Sequence, residues 1–166
     1  MEIMKKTTLS NYDLERLGSA IKMPLWVGMR DEFDREVITK YNYFIINIQP
    51  ERMQGQHWTG LWKYKTPSGK TYCIFFDPFG ASPMKEIIDV CKKEGFRLMY
   101  SHTDCQDFKS DCCGWICLAF FICMRRKMTF KSFSSHLETG KNKIKNDAIV
   151  KKIVLSEWQK YLTINN

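Results

Sequence analysis

The stretch SDCCGWIC, residues 110–117, contains three of the seven cysteines of this 166-residue chain. Cysteine serves as a metal ligand, a disulfide partner, a small core residue or a nucleophile, and each use requires different neighbours. Cys112 and Cys113 lie where a polar segment meets a strongly apolar one that predicts a buried helix. Free backbone N–H groups and the positive end of the helix dipole at such a start favour a thiolate and can bind an oxyanion. These two cysteines are therefore the candidates for a nucleophile.

The other cysteines have apolar surroundings. Cys117 and Cys123 stand among Ile, Leu, Ala and Phe, and we expect both to be core residues, as we do for Cys73 and Cys91. Zinc is the alternative to weigh, but Cys113 and Cys117 form C-x₃-C rather than C-x₂-C, with no second pair at matching spacing. We predict no metal site. The odd cysteine count and the lack of a secretory signal favour reduced thiols over a disulfide framework.

A nucleophilic cysteine needs a base, and the chain has three histidines. His102 and His136 lie in polar surroundings and are expected on the surface. His57 begins one predicted strand, and Asp77 ends the next. A lone histidine at a strand start is usually structural, so the catalytic interpretation depends on pairing. In a hairpin, residue 57 would fall opposite about residue 77, where a carboxylate could orient one ring nitrogen while the other faces a thiol.

The elements that must position these residues follow from hydrophobic periodicity and turn signals. Strands are predicted at 41–49, 57–64, 71–77 and 96–100, and helices at 10–21, 82–95, 113–128 and 144–162. We interpret residues 22–34 as a loop, because Pro24 and Gly28 interrupt them. The whole chain, 1–166, is predicted to be one α+β domain, with a small, mostly antiparallel sheet packed by helices around a buried central helix that starts at the nucleophile.

The charge balance indicates either a surface that binds a polyanion or a basic face that is simply solvated. Lys and Arg number 26 against 18 Asp and Glu, a net charge of +8. Non-specific DNA binding is one interpretation, and no motif for sequence-specific readout accompanies the charge. The longest apolar run, Trp115–Met124, is shorter than the ~20 residues a membrane helix needs, and the N-terminus lacks an apolar signal region. We therefore expect no membrane partner and a cytosolic or nuclear location, or a particle assembled there.

In combination, these residues resemble the adenovirus-type (adenain-like) cysteine proteases, which share a core with the ubiquitin-like-protein proteases. The resemblance rests on GQHWTGLW, FFDPFG and QDFKSDCCGWIC and spans roughly residues 8–125. It implies that Cys113, directly before the glycine, is the nucleophile and that His57 is its proton partner. It further implies that Asp77 orients the imidazole and that Gln106 joins the Cys113 N–H in an oxyanion hole.

The resemblance also implies a papain-like or adenain-like fold and a viral maturation endopeptidase. Such an enzyme would cleave capsid or core precursor proteins after small residues, often Gly. A double-stranded DNA virus, virophage or Maverick-type element would be the source, and the virion and the host cytoplasm or nucleus the location. We expect a monomer that needs no cofactor for its chemistry, with activation by DNA or a viral peptide left open.

Two departures and two alternatives accompany this interpretation. The adenovirus enzymes tend to carry Glu where this chain has Asp77, and they have a longer C-terminal part. A protease acting on ubiquitin-like modifiers of host proteins would use the same residues on another substrate. A non-catalytic, basic virion protein that binds DNA would account for the charge without the chemistry.

Overall fold

The computed structural model describes residues 2–49 and 57–164. Within these residues, five strands form one sheet in the order β1-β2-β3-β4-β5. The strands are β1 (Leu25–Met29), β2 (Tyr43–Asn47), β3 (Trp58–Lys65), β4 (Thr71–Phe76) and β5 (Arg97–Tyr100). Strands β2, β3 and β4 pair antiparallel, while β1 and β5 join the two edges in parallel. The predicted α+β class and the antiparallel character of the sheet are thus confirmed, and the parallel edges are an addition.

Strand β1 corrects one sequence prediction, because Leu25–Met29 lies in the segment interpreted as a loop. Pro24 directly precedes the strand, so it removes no N–H from the ladder with β2. Gly28 lies within the ladder opposite Ile46. Every β1 residue is only partly buried, which is typical of an edge strand and explains why its hydrophobic pattern is weak.

Six α-helices occur within the described ranges: α1 (Asn11–Ala20), α2 (Arg35–Lys40), α3 (Lys85–Lys93), α4 (Cys113–Arg125), α5 (Phe130–Ser135) and α6 (Asn146–Ile164). Ser10 caps α1 in a capping box, in which its hydroxyl accepts from the Asp13 N–H and the Asp13 carboxylate accepts from the Ser10 N–H. The short helices α2 and α5 were not predicted. None of the described helices combines the length and apolar character needed to cross a membrane.

Helix α3 begins later than its sequence signals indicate. Ser82 and Pro83 predicted a start at that point, but Met84 is the N-cap and makes no side-chain capping bond. The helix ends as expected, with Gly95 at a φ of +69°, a conformation that favours glycine at a helix C-terminus.

The sheet separates two hydrophobic cores, because successive strand residues point to opposite faces. Phe76 packs in the core that holds α4, together with residues of α1, α5 and α6. Phe75 packs in the second core, against residues of α2 and α3. Each core residue of α4 from Cys113 to Met124 is buried, which confirms the predicted central helix.

Glu157 joins the C-terminal helix α6 to the end of α4. Its buried carboxylate accepts from Arg125 at 2.7 Å and from Arg126, and Lys160 donates to it at 3.0 Å. Arg125 also donates to the carbonyl of Ile21 at 2.9 Å, just beyond α1. Burial opposes the charge of Glu157, but the hydrogen bonds and cations outweigh it and lower its pKa to about 2.

We expect Glu157→Gln to destabilise the fold by about 2 kcal/mol at neutral pH, below the value for a fully buried pair because the cations are partly solvated. The lowered pKa means that the stabilisation is complete above the ordinary value of 4.5 and is lost as pH falls toward about 2. Urea unfolding from neutral to acidic pH measures both effects. The exposed Glu15→Gln is the matched control, and equal acid sensitivity of wild type and Glu157→Gln would contradict the assignment.

Candidate active site

The hairpin of β3 and β4 brings His57 and Asp77 to the same end of the sheet. His57 directly precedes β3, and Asp77 directly follows β4. Gly60 pairs with Phe76, so the register, continued outward, places residue 59 opposite residue 77. The sequence prediction of residue 57 opposite about 77 is wrong by two positions. Since side chains alternate with a period of two, a two-residue offset keeps both residues on one face.

The Asp77 carboxylate is fixed by the turn that it begins. The Gly80 N–H donates to the Asp77 carbonyl at 2.8 Å, and the Phe79 N–H donates to Asp77 Oδ1 at 2.7 Å. Gly80 has a φ of +76°, and a Cβ there would lie 2.6 Å from the His102 carbonyl oxygen. The DPFG turn therefore requires its glycine for backbone conformation and for space.

His57 is held against Asp77 and a phenyl ring. Its Nε2 lies 2.9 Å from Asp77 Oδ1, and its ring centroid lies 4.8 Å from that of Phe79. The His57 side chain is 16% exposed and that of Asp77 4%. Asp77 is an acceptor in this contact, so Nε2 carries a proton and Nδ1 remains for another partner.

Cys113, the first residue of α4, completes the group. The Trp58 backbone N–H donates to Cys113 Sγ at 3.4 Å, and the His57 ring also forms a hydrogen bond with the Cys113 side chain. The structure thus brings together a sulfur, an imidazole and a carboxylate that are far apart in the sequence. Sequence patterns did not indicate the Trp58 N–H as a contact, because every residue except proline carries that donor.

The environment favours a protonated imidazole at His57. Burial lowers its pKa, but the hydrogen bonds to Asp77 and Cys113, and the charges of both groups, outweigh burial and raise the pKa to about 9. A thiolate next to an imidazolium is the ion pair that activates cysteine nucleophiles at neutral pH.

Cys112 and Cys105 lie close to the site but in surroundings that disfavour their thiolates. Burial and the Asp147 carboxylate raise the pKa of Cys112 to about 12. Burial and the nearby Asp104 and Asp77 charges raise the pKa of Cys105 to the same value. These surroundings disfavour Cys112 as the nucleophile, and the choice of Cys113, which was made by resemblance, stays a prediction.

Gln106 lies in the loop between β5 and α4 and is 2% exposed. Its backbone N–H donates to the Pro78 carbonyl at 3.0 Å, which ties the loop to the DPFG turn. Its side-chain Nε2 donates to the Ser110 carbonyl at 2.7 Å. Its buried Oε1 has no hydrogen-bond partner among the described residues. The hydrogen bonds of Gln106 within the described residues go to Pro78 and Ser110 rather than to Cys113, so its predicted place in an oxyanion hole stays a prediction.

Trp58 and Gly114, which directly follow His57 and Cys113 in the sequence, pack against core residues. Trp58 is buried, and its Nε1 donates to the Leu9 carbonyl at 2.9 Å, which ties β3 to the segment before α1. Gly114 directly follows Cys113 in α4. A Cβ there would lie 3.2 Å from Leu14 and 3.4 Å from both Leu9 and Trp58. The glycine therefore allows close packing of core side chains against α4.

The other His, Cys, Asp and Glu residues that the structure describes form no metal centre. In residues 2–49 and 57–164, no group of three or more His, Cys, Asp or Glu side chains could hold a metal ion. His102 and His136 are exposed, as expected, and His102 Nδ1 lies 3.0 Å from the Gly80 carbonyl. Cys73, Cys91, Cys117 and Cys123 are buried.

Sequence reasoning missed the residues that support the site from α6. Asn146 and Asp147 start this helix and contact the loop before Cys113. Asn and Asp before an apolar helix are a start signal, but nothing in the sequence indicates which distant loop they contact. Phe79, which stacks on His57, was visible only as part of the DPFG turn.

The fold described above is similar to that of a protease of known structure. Two crystal structures of the ASFV pS273R protease, one of them the selenomethionine form, superpose with TM-scores of 0.61 and 0.59. They are 14% and 15% identical to this chain, and each alignment covers 91% of this chain and 68% of the other. No family model matches the sequence, and no curated protein matches it. At this identity, the similarity establishes the fold.

Proposed function

We propose that this chain is a viral maturation cysteine endopeptidase with Cys113 as the nucleophile, His57 as its proton partner and Asp77 as the orienting acid. One observation carries the proposal: His57 contacts both the Asp77 carboxylate and the Cys113 side chain at the start of a buried helix. The fold shared with the ASFV pS273R protease supports it.

In the first step, the Cys113 thiolate attacks the carbonyl carbon of the scissile peptide bond, and a C–S bond forms. The carbonyl oxygen becomes an oxyanion that the Cys113 N–H and a Gln106 Nε2 hydrogen stabilise. The His57 imidazolium then donates a proton to the leaving nitrogen, the C–N bond breaks, and a thioester remains. Asp77 stabilises the imidazolium and keeps the ring oriented.

In the second step, water hydrolyses the thioester. Neutral His57 accepts a proton from water as the hydroxyl oxygen attacks the acyl carbon, and the C–S bond breaks to regenerate the thiolate. The products are a carboxylic acid and an enzyme with the original thiolate–imidazolium pair. No redox change or external cofactor enters this balance.

The substrates proposed are capsid or core precursor proteins, cleaved after small residues such as Gly. The support is the likeness of GQHWTGLW, FFDPFG and QDFKSDCCGWIC to adenain-like motifs. The same likeness supports a virion or host-cell location, action as a monomer, and activation by DNA or a viral peptide. The net charge of +8 is compatible with DNA as a non-specific partner.

The pH dependence follows from the raised pKa of His57. Activity that needs the imidazolium is expected to persist as pH rises to about 9 and to fall above that value, because the ring is protonated below its pKa. The measurement is kcat/KM for a peptide substrate across the alkaline range. An alkaline limb near 6.5, the ordinary histidine value, would show that Asp77 and Cys113 do not sustain the charge.

Profiling with a proteome-derived peptide library tests the proposal directly. The full chain and Cys113→Ala are incubated with the library, and the new N-termini are mapped by mass spectrometry. We expect cleavage after Gly and other small residues with the wild type only. An absence of cleavage together with no iodoacetamide labelling of Cys113 overturns the proposal.

Two further arms separate the rival functions. Cleavage of ubiquitin-like fusion proteins in preference to the library peptides would identify a modifier protease with the same site residues. Salt-dependent DNA binding without Cys113 labelling would identify a DNA-binding virion protein. Addition of DNA to the peptide assay determines whether DNA activates the enzyme.

A further inference from the structure

Ser110 connects three parts of the site. Its backbone carbonyl accepts from Gln106 Nε2 at 2.7 Å. Its hydroxyl accepts from the Cys112 N–H at 3.1 Å and donates to Asp147 Oδ1 at 2.7 Å. One buried serine therefore links the Gln106 amide, the backbone just before Cys113 and the first turn of α6.

The Ser110 carbonyl fixes the orientation of the Gln106 amide. A carbonyl oxygen only accepts hydrogen bonds, so it must face Nε2 rather than Oε1 of the glutamine. The amide nitrogen has two hydrogens, and this bond uses one of them. The second hydrogen is available to a bound ligand. Loss of the Ser110 contact would let the amide rotate, because Oε1 has no described partner that holds it.

The start of α6 holds the same loop at its other end. Asn146 is fully buried, and its Nδ2 donates to the Cys105 carbonyl at 2.7 Å and to the Glu138 carbonyl at 2.9 Å. Its Oδ1 accepts from the Glu138 N–H at 2.7 Å. Gln106 and Ser110 thus lie on a segment that consecutive α6 residues anchor at both ends.

We propose that Ser110 and Asp147 are positioning residues for the oxyanion hole, which rests on the function proposed above. The Asp147 carboxylate holds the Ser110 hydroxyl, and the Ser110 carbonyl holds Gln106 Nε2 with its second hydrogen directed to the oxyanion. Neither residue touches the substrate. An oxyanion donor acts only within about 2.7–3.1 Å of its target, so the serine determines how much Gln106 contributes.

The proposal predicts a particular kinetic pattern. Because oxyanion contacts strengthen in the transition state, Asp147→Ala is expected to lower kcat about tenfold and change KM less than about twofold. Asp147→Asn keeps an oxygen acceptor for the Ser110 hydroxyl, so it is expected to restore most of kcat. Ser110→Ala removes the same bond from the other side and also leaves the Cys112 N–H without its acceptor, so it is expected to lower kcat at least as much as Asp147→Ala.

A double-mutant cycle separates positioning from general destabilisation. In a Gln106→Ala background there is no amide to position, so adding Asp147→Ala is expected to change kcat less than about twofold. The peptide is the best substrate from the library profiling. Lys152→Ala, an exposed position on α6, is the matched control, and unfolding midpoints establish that each variant is folded at the assay temperature.

The outcomes distinguish this inference from the proposed function. Iodoacetamide reacts with the thiolate without an oxyanion, so its rate at Cys113 is expected to be the same in wild type and Asp147→Ala. A wild type that neither cleaves peptides nor reacts at Cys113 overturns the protease proposal and this inference with it. Cleavage by the wild type, with equal losses in Asp147→Ala and Asp147→Asn or with full additivity to Gln106→Ala, overturns the positioning role alone.

Discussion

Cys113→Ala is expected to lower peptide cleavage by at least about 10⁴-fold, because it removes the atom that forms the thioester; loss of the nucleophile alone costs about 10⁶ in a well-studied serine protease. The fold should persist, since the change removes one sulfur atom from the first residue of α4 and leaves the backbone of the helix intact. The Trp58 N–H loses its sulfur acceptor at 3.4 Å, a weak contact. The measurement is kcat/KM with the library-derived peptide, together with the unfolding midpoint.

The adjacent cysteine supplies the control. Cys112→Ala is expected to keep kcat/KM within about threefold of wild type, because a thiol whose pKa is raised to about 12 contributes no nucleophile near neutral pH. Mass-spectrometric mapping of iodoacetamide adducts in each variant shows which sulfur reacts. Activity retained in Cys113→Ala and lost in Cys112→Ala would mean that the other sulfur performs the chemistry.

Asp77→Ala is expected to lower kcat/KM about 10³-fold, whereas Asp77→Asn should cost only about tenfold. The alanine removes the acceptor for both His57 Nε2 and the Phe79 N–H. Both donors meet the same oxygen, Oδ1, so an asparagine oxygen can accept from both and its NH₂ group is turned away from the ring. The tautomer and orientation of His57 would survive in Asp77→Asn, and only the charge would be lost.

The pH profile tests this division between orientation and charge. Since the Asp77 charge helps raise the pKa of His57 to about 9, its loss in Asp77→Asn should move the alkaline limb to lower pH. Asp89→Asn is the control, because Asp89 lies on α3, which packs on the opposite face of the sheet. This change should leave the alkaline limb of the pH profile in place. If Asp77→Asn is as inactive as Asp77→Ala, charge rather than orientation is what Asp77 supplies.

The predictable parts of this protein are those with local signals. The buried helix α4 follows from a run of apolar residues, and the β3–β4 hairpin follows from two strand patterns around a TPSGK turn. Together they locate His57, Asp77 and Cys113 at one end of the sheet. The error of two residues in the hairpin register did not affect this result, because a shift by an even number keeps the same face.

The missed parts depend on contacts between distant segments. Strand β1 has no clear alternation, since it lies at a sheet edge and its pairing with β2 decides its conformation. The contact of Asp147 with Ser110 joins residues 37 positions apart, and neither residue type predicts it. The close packing at Gly114 is likewise invisible in the sequence, because Leu14 and Leu9, which lie against it, come from the N-terminal part of the chain.

The β3–β4 hairpin also has practical value for engineering. Its tip at Gly69 lies at the far end of β3, eight residues and about 26 Å from the reactive sulfur's end of the sheet. Gly69 has a φ of +82°, and apart from its two neighbours in the chain no residue has an atom within 4 Å of a Cβ built there. An affinity tag or fluorescent reporter inserted at this turn would be attached to the hairpin that positions His57 and Asp77. It would lie at the opposite end of the hairpin from these residues and so would not block substrate binding.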